Sequence, residues 1–177
     1  MQGSEDVLSH AINLTTEEGD YKEAIAAKEY FSYYHPGLNR RTDDPINSRL
    51  NYGYAVMRSA IVRALVATGF HPTFGIHHNN QLNAFNLVYD LIEPWRPMVD
   101  LIVHQNTGNS IRLSKAERYE LAHVLHNACM IQKQKSTILS AISVMCESLK
   151  QCYLENDISL LELPTVLPIE SLELVNE

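Results

Sequence analysis

Apolar residues recur every three or four positions through most of the middle of the chain, a spacing that is typical of helices packed on one face. The clearest example lies between Asp44, which suits an N-cap, and Gly69, which suits a helix end. Pro45 fits the first turn of this helix because its fixed φ is already helical. The positions on its apolar face are Ile46, Leu50, Tyr54, Met57, Ile61, Ala64 and Leu65. We therefore predict one long helix from Pro45 to the residue before Gly69.

The same spacing predicts further helices on both sides of this one. One predicted helix runs over 21–34, and another begins near Leu82 and reaches a kink or a break near Glu93, marked by Pro94 and Pro97. Further helices are predicted over 95–104, after the capping-box pair Ser114 and Glu117, and over about 136–155. No segment alternates apolar and polar residues as a strand would. The predicted fold class is therefore all-α, a multi-helix bundle-like domain.

The expected domain organisation has three parts. Residues 1–20 form an N-terminal linker or helical remnant, and residues 21–155 form the helical domain. Residues 156–177 form an acidic tail that is extended or disordered, because it contains Pro164 and Pro168 and no basic residue.

The charge is distributed unevenly along the 177 residues, which changes what the net value of −7 implies. Five acids lie in residues 1–20 and six in 155–177, with no Lys or Arg in either segment. Residues 21–154 therefore hold all 14 basic residues against ten acids. Five arginines fall between Arg40 and Arg63, so either a solvated face or contact with anionic phosphates fits this segment.

Three cysteines fit neither a paired disulfide framework nor a C-x-x-C metal site. A chain of this size can bury enough surface to fold without disulfides. We therefore expect reduced core thiols and a cytoplasmic protein.

Several residues of the middle segment are candidates for chemistry. Asp90 and Glu93 lie three apart on one helix face, with Asn86 one turn earlier and the His77-His78 pair across a short loop. Such oxygen donors next to an imidazole suit Mg²⁺ or Mn²⁺. A solvated acidic face with an ion pair to Arg96 explains the same spacing, so spacing alone leaves both interpretations open. His123 and His126 also share a face but lack the Glu of an H-E-x-x-H motif, and we assign them no site.

Seven short motifs of this sequence occur together in one known family, in the family's order and approximate spacing. They are EAIAAKEYF at 23–31, DPIN at 44–47, LNYGY at 50–54, RSAI at 58–61, GIHHN at 75–79, NAFNL at 83–87 and DLIEPWRP at 90–97. On these motifs the chain resembles the catalytic helical domain of the CRISPR-associated integrase, the endonuclease of CRISPR adaptation, and is closest to its type II branch. The resemblance covers most of residues 20–155.

The resemblance implies a specific site and reaction. The family's metal ligands fall on Glu23, His78 and Glu93, which would hold Mg²⁺ or Mn²⁺ and act in DNA cleavage and spacer insertion into a CRISPR array. The expected partners are double-stranded DNA, as prespacer and CRISPR repeat, a second copy in a homodimer, and a small ferredoxin-like adaptation protein. Weaker candidates for DNA contact are Arg40, Arg41, Arg49 and Arg58. Because the family's N-terminal β domain has no counterpart in the first twenty residues, we expect a truncated or separately expressed C-terminal portion.

Two other interpretations stay open at this point. One is a helical His/Asp metal phosphohydrolase that uses His77, His78 and Asp90 and does not need Glu23. The other is a non-catalytic helical interaction module.

Overall fold

The structure, a computed structural model, describes residues 37–105 and 108–165. The chain divides into two compact units, Met1–Thr42 and Asp43–Glu177. Of the first unit only residues 37–42 are described, a polar turn in which Arg41 N donates to Asn39 Oδ1 at 3.0 Å. The predicted helix over 21–34, and with it Glu23, lies outside the described residues.

The second unit is mostly helical. Its α-helices are α1 (Pro45–Thr68), α2 (Asn86–Ile92), α3 (Arg96–Gln105), α4 (Lys115–Ala122) and α5 (Ile138–Glu155), with 3₁₀ turns at Glu93–Trp95, His123–His126 and Ile158–Leu160. Two short strands, β1 (Ala128–Ile131) and β2 (Gln134–Thr137), lie between the second 3₁₀ turn and α5.

Local capping explains where α1 begins and ends. Asp44 Oδ1 accepts a hydrogen bond from Asn47 N at 2.9 Å, and Gly69 ends the helix with φ at 94°. Glycine reaches this left-handed conformation without the steric penalty of a side chain. The predicted bounds of this helix are confirmed, as is the capping box of Ser114 and Glu117 at the start of α4.

Helix α2 begins at Asn86 rather than near Leu82, so the predicted start is wrong by about one turn. Asparagine side chains explain the difference. Asn80 Oδ1 accepts from Leu82 N at 2.9 Å, and Asn83 Oδ1 accepts from Phe85 N at 3.0 Å. These local bonds hold the backbone in turns and compete with helix formation. The predicted kink or break near Glu93 is confirmed, because the 3₁₀ turn Glu93–Trp95 separates α2 from α3.

The two strands form an antiparallel hairpin, so the all-α prediction is only partly correct. Ala128 pairs with Thr137 and Ile131 with Gln134. The turn residues Gln132 and Lys133 have φ of 51° and 62°, a pair of conformations usually supplied by Asn-Gly. Four-residue strands joined by such an atypical turn give no readable alternation in the sequence.

Helix α1 lies at the centre of the unit and contacts α2, α3, α4 and α5. The largest fully buried side chains include Trp95 before α3 and apolar residues of α1 and α5: Leu50, Met57, Ile61, Leu65, Ile138, Ile142, Met145 and Leu149. In the described part of the chain, no helix is long and apolar enough to cross a membrane.

Gly53 allows α1 and α3 to approach closely, and this contact gives a stability prediction. A Cβ at position 53 would overlap Val99 Cγ1, so we expect Gly53→Ala to lower the free energy of unfolding by roughly 1–3 kcal/mol, because the packed side chain must shift. The gain of about 1 kcal/mol in helix propensity does not offset this overlap. Urea unfolding measures the change, with Ser59→Ala on the exposed face of α1 as the control. A Gly53→Ala protein more stable than the wild type would contradict the packing described here.

Candidate functional site

The loop between α1 and α2 is fastened to α2 by the carboxylate of Asp90. Its Oδ2 accepts hydrogen bonds from Ile76 N at 2.5 Å and His77 N at 3.2 Å. Its Oδ1 accepts from His78 N at 3.1 Å and bonds to His78 Nδ1 at 2.6 Å. One buried carboxylate thus holds the backbone of three consecutive residues and one imidazole.

This contact fixes the tautomer of His78. A carboxylate has only acceptor sites, so Nδ1 carries the hydrogen, and Nε2 keeps its lone pair when the ring is neutral. Burial by itself would raise the pKa of Asp90, but the hydrogen bond from the His78 side chain and those from the backbone of His78, Ile76 and His77 lower the pKa below its ordinary value. Asp90 is therefore ionised when it holds the loop, and Nε2 is the ring nitrogen of neutral His78 that can bind a ligand.

Gly75 and Asn86 also stabilise the conformation of this loop. Asn86 is buried, and its Nδ2 donates to Thr73 O at 3.1 Å and to Asn80 O at 2.9 Å. A Cβ at position 75 would lie 2.9 Å from Asp90 Oδ2 and would overlap the carbonyl oxygen of His78. Only glycine therefore lets the loop close on Asp90.

The two neighbouring histidines occupy different environments. The His78 side chain is 35% exposed and is held by Asp90, whereas His77 is exposed and its backbone N–H makes the bond to Asp90. The two rings lie edge to face with centroids 5.6 Å apart. Of the two imidazoles, His78 is the one that Asp90 orients.

Glu93 lies one turn after Asp90, at the start of the 3₁₀ turn. Its side chain is 45% exposed, and Oε1 accepts from Arg96 Nη2 at 2.9 Å. The ion pair expected from spacing is thus present. The other two oxygen donors of the predicted cluster, Asn86 and Asp90, bind the loop, which leaves Glu93 as the most accessible side-chain oxygen donor of the three.

The predicted ligand set Glu23, His78 and Glu93 is only partly visible. Glu23 lies outside the described residues, and no group of three His, Cys, Asp or Glu side chains within 37–105 and 108–165 could hold a metal ion. His78 and Glu93 supply an imidazole nitrogen and an exposed carboxylate. These donor types fit Mg²⁺ or Mn²⁺, provided that at least one further oxygen ligand joins them.

Arg49 proves to be a packing residue. It is 2% exposed, and its guanidinium donates to Pro45 O at 2.8 Å, to Ser110 O at 3.1 Å and to the Glu117 carboxylate. A buried guanidinium with three acceptors has no surface for a phosphate, so the prediction of Arg49 as a DNA contact is wrong. Arg58 on α1 is half-buried near the site, and Arg40 and Arg41 lie in the turn of the first unit.

Sequence reasoning named Asp90 as a candidate donor but missed its part in fixing the loop. The available signal was an aspartate, whose short side chain suits backbone contacts, three residues before Glu93. Its four hydrogen bonds depend on the fold of a loop twelve to fourteen residues earlier, which spacing does not reveal.

Two other side-chain groups stay outside the site. His123 and His126 have ring centroids 5.0 Å apart and belong to no metal-binding group within the described residues.

Burial raises the pKa of Cys129 to about 11 and that of Cys146 to about 12, so both thiols stay protonated at neutral pH.

Comparison with known proteins identifies the family. A family model described as "CRISPR associated protein Cas1" matches residues 18–142. This range is more than half of the chain. The chain belongs to the Cas1 family. The seven sequence motifs that resembled the CRISPR-associated integrase are explained by this membership, and the region covered is the C-terminal part of Cas1.

Relatives of this Cas1-family chain carry consistent names. The "CRISPR-associated endonuclease Cas1" of Neisseria meningitidis serogroup C is 34% identical over 153 residues, which cover 84% of this chain and 50% of the relative. The "CRISPR-associated endonuclease Cas1 2" of Pyrobaculum aerophilum is 34% identical over 108 residues, which cover 55% of this chain and 37% of the relative. The Cas1-family chain thus spans half or less of the length of these relatives.

A solved structure, "Casposase bound to integration product", shares the fold. It superposes with a TM-score of 0.69 at 22% sequence identity, and the match covers 85% of this chain and 54% of the casposase chain. At this identity the likeness establishes the mainly helical fold of the Cas1-family chain, and the fold alone.

Proposed function

We propose that this chain is the catalytic part of a DNA endonuclease and integrase that inserts DNA fragments into a CRISPR array. The observation that carries the proposal is the orientation of His78 by Asp90, one turn before the exposed carboxylate of Glu93, in a chain of the Cas1 family. The relatives are named endonucleases, and the structural neighbour is a casposase with an integration product. These names support DNA as the substrate.

In this proposal Glu23, His78 and Glu93 hold Mg²⁺ or Mn²⁺ through two carboxylates and His78 Nε2. The ion, when bound, polarises a phosphodiester and stabilises the charge that develops on its oxygens during in-line attack by a 3′ hydroxyl or by water. Asp90 would hold the neutral ring in the tautomer with its hydrogen on Nδ1, which leaves Nε2 for the ligand bond, and would limit rotation of the ring. Arg96 pairs with Glu93 and so limits the positions of that carboxylate.

The wider assembly is also part of the proposal. Integration at a repeat would involve a homodimer and a small ferredoxin-like partner on double-stranded DNA, in a protein of the relatives' length, of which this chain spans half or less. Arg58, and Arg40 and Arg41 in the first unit, are the proposed phosphate contacts. The reaction would take place in the cytoplasm, on cellular DNA.

The geometry of Asp90 favours this function over a His/Asp phosphohydrolase. In the phosphohydrolase interpretation Asp90 would be an open ligand beside His77 and His78. In the structure both of its oxygens accept hydrogen bonds from the loop. Asp90 therefore acts on a ligand through His78, while Glu93 is the accessible carboxylate.

Metal-dependent DNA cleavage by the 177-residue chain tests the proposal. We expect nicking or strand transfer with Mn²⁺ or Mg²⁺ that stops with EDTA and weakens as salt rises, because the phosphate contacts are electrostatic. Glu23→Ala should reduce the rate to background, since it removes a proposed ligand. Glu147→Ala, on the exposed side of α5, is the matched control and should keep the wild-type rate. Cleavage that survived both EDTA and Glu23→Ala would rule out the proposed metal site.

A further inference from the structure

A small cleft beside the His78 site contains two arginines whose side chains are fixed by aromatic rings. The cleft has a volume of about 300 Å³ and is lined by Asn51, Tyr54, Ala55, Arg58, Tyr89, Ile92 and Arg96. The Arg58 guanidinium lies 5.7 Å from the centroid of the Phe85 ring, and that of Arg96 lies 5.2 Å from the centroid of Tyr54. Such contacts hold a guanidinium in place and leave its edge available for hydrogen bonds.

The cleft is connected to both described residues of the proposed metal site. Arg58 Nη1 donates to Tyr89 Oη at 3.2 Å, and the Tyr89 ring lies 6.0 Å from that of His78. On the other side Arg96 pairs with Glu93. A group bound in the cleft would therefore lie next to the reacting centre.

Charge and hydrogen-bond capacity indicate which group fits. Two guanidiniums and the Glu93 carboxylate leave one net positive charge, which matches the single negative charge of a phosphodiester. The Arg96 side chain is 35% exposed, so its outer N–H groups can reach a phosphate oxygen, which guanidiniums bind well.

We propose that Arg58 and Arg96 together bind one phosphate of the DNA strand, next to the phosphodiester that reacts at the His78 site. This inference rests on the proposed function for its substrate, DNA, and adds a second contact point on the strand. Two contacts on one strand orient it, because they restrict both its position and its direction at the site. Arg96, which spacing paired only with Glu93, thereby gains a second role as a DNA contact.

The salt dependence of DNA binding tests this inference without any catalysis. Binding of the 177-residue chain to a fluorescent DNA duplex is measured by anisotropy in EDTA over a series of KCl concentrations. Each lost phosphate contact lowers the slope of log K against log salt by about 0.9. We expect Arg58→Gln and Arg96→Gln each to lower the slope by about that amount. The double variant should lose no more than either single one, because both side chains bind the same phosphate.

Controls separate this contact from general charge and from misfolding. Arg63→Gln removes an exposed charge from the same helix and should leave the slope nearly unchanged. Arg58→Lys and Arg96→Lys keep the charge and should keep the slope. Affinity should fall several-fold, because lysine lacks the planar guanidinium that donates two parallel hydrogen bonds. Circular dichroism checks that each variant folds.

The outcomes distinguish this inference from the proposed function. Slopes that match Arg63→Gln, in a chain that cleaves DNA with Mn²⁺, would overturn the shared phosphate contact and leave the function standing. Lower slopes in a chain that binds DNA but never cleaves it would support the contact and overturn the function. A wild-type chain with no affinity for DNA would overturn both.

Discussion

His78→Ala should abolish metal-dependent strand transfer by this chain, whereas His77→Ala should keep most of it. Asp90 fixes the tautomer and orientation of His78 alone, so loss of that imidazole removes one of three proposed protein ligands. We expect a fall of about 100-fold or more, since loss of a mere supporting partner already costs 10–100-fold. His77 contributes its backbone N–H to Asp90, and alanine keeps that bond.

Strand transfer by both variants, at matched folding by circular dichroism, measures the difference. A dead His77→Ala protein beside a nearly normal His78→Ala protein would mean that the family register is wrong by one residue. Normal activity in both variants would show that neither imidazole is a metal ligand.

Asp90→Ala should also cause a large loss of activity. The loss arises because the loop is no longer held, not because a metal ligand is removed. The substitution removes the acceptor of three backbone N–H groups and of His78 Nδ1. We expect activity to fall by about 10–100-fold, as for other groups that orient metal-binding histidines. The amides of residues 76–78 should exchange with solvent faster, because their bonds to the carboxylate are lost.

A positioning role for Asp90 also predicts a spectroscopic change. In the metal-free protein, nitrogen NMR of His78 should show hydrogen on Nδ1 in the wild type and a mixture of tautomers in Asp90→Ala. Asp43→Ala, an exposed acid before α1, is the control and should change neither the amides nor the tautomer. Wild-type activity in Asp90→Ala, despite faster exchange, would show that the loop contact has no part in the reaction.

Local sequence signals predict the helices well because their caps are local. Asp44 with Pro45, Gly69, and Ser114 with Glu117 each act within one turn of the helix end they define. The predicted start of α2 is too early because asparagine side chains hold turns that compete with the helix. The hairpin escapes prediction because its strands are four residues long and its turn lacks glycine.

For the site, too, some features can be predicted from local motifs, whereas others depend on contacts made by the tertiary fold. The resemblance to the family predicts His78 and Glu93 as ligands, because they fall within the GIHHN and DLIEPWRP motifs. The burial of Arg49 depends on Glu117, 68 residues away, and the fixing of His78 depends on a loop that folds back over Asp90. Spacing along the chain contains no information on such contacts. It therefore predicts Arg49 at the surface and does not predict the hydrogen bonds from the loop to Asp90.

Pulsed electron paramagnetic resonance of Mn²⁺ bound to the 177-residue chain tests the proposed metal site most directly. Because Mn²⁺ is paramagnetic, a directly coordinated imidazole gives a nitrogen modulation that does not depend on DNA or on turnover. We predict one bound Mn²⁺ with this modulation in the wild type and in His77→Ala. We predict loss of the modulation in His78→Ala and weaker Mn²⁺ binding in Glu23→Gln and Glu93→Gln. Unchanged Mn²⁺ binding and modulation in all of these variants would contradict the proposed site.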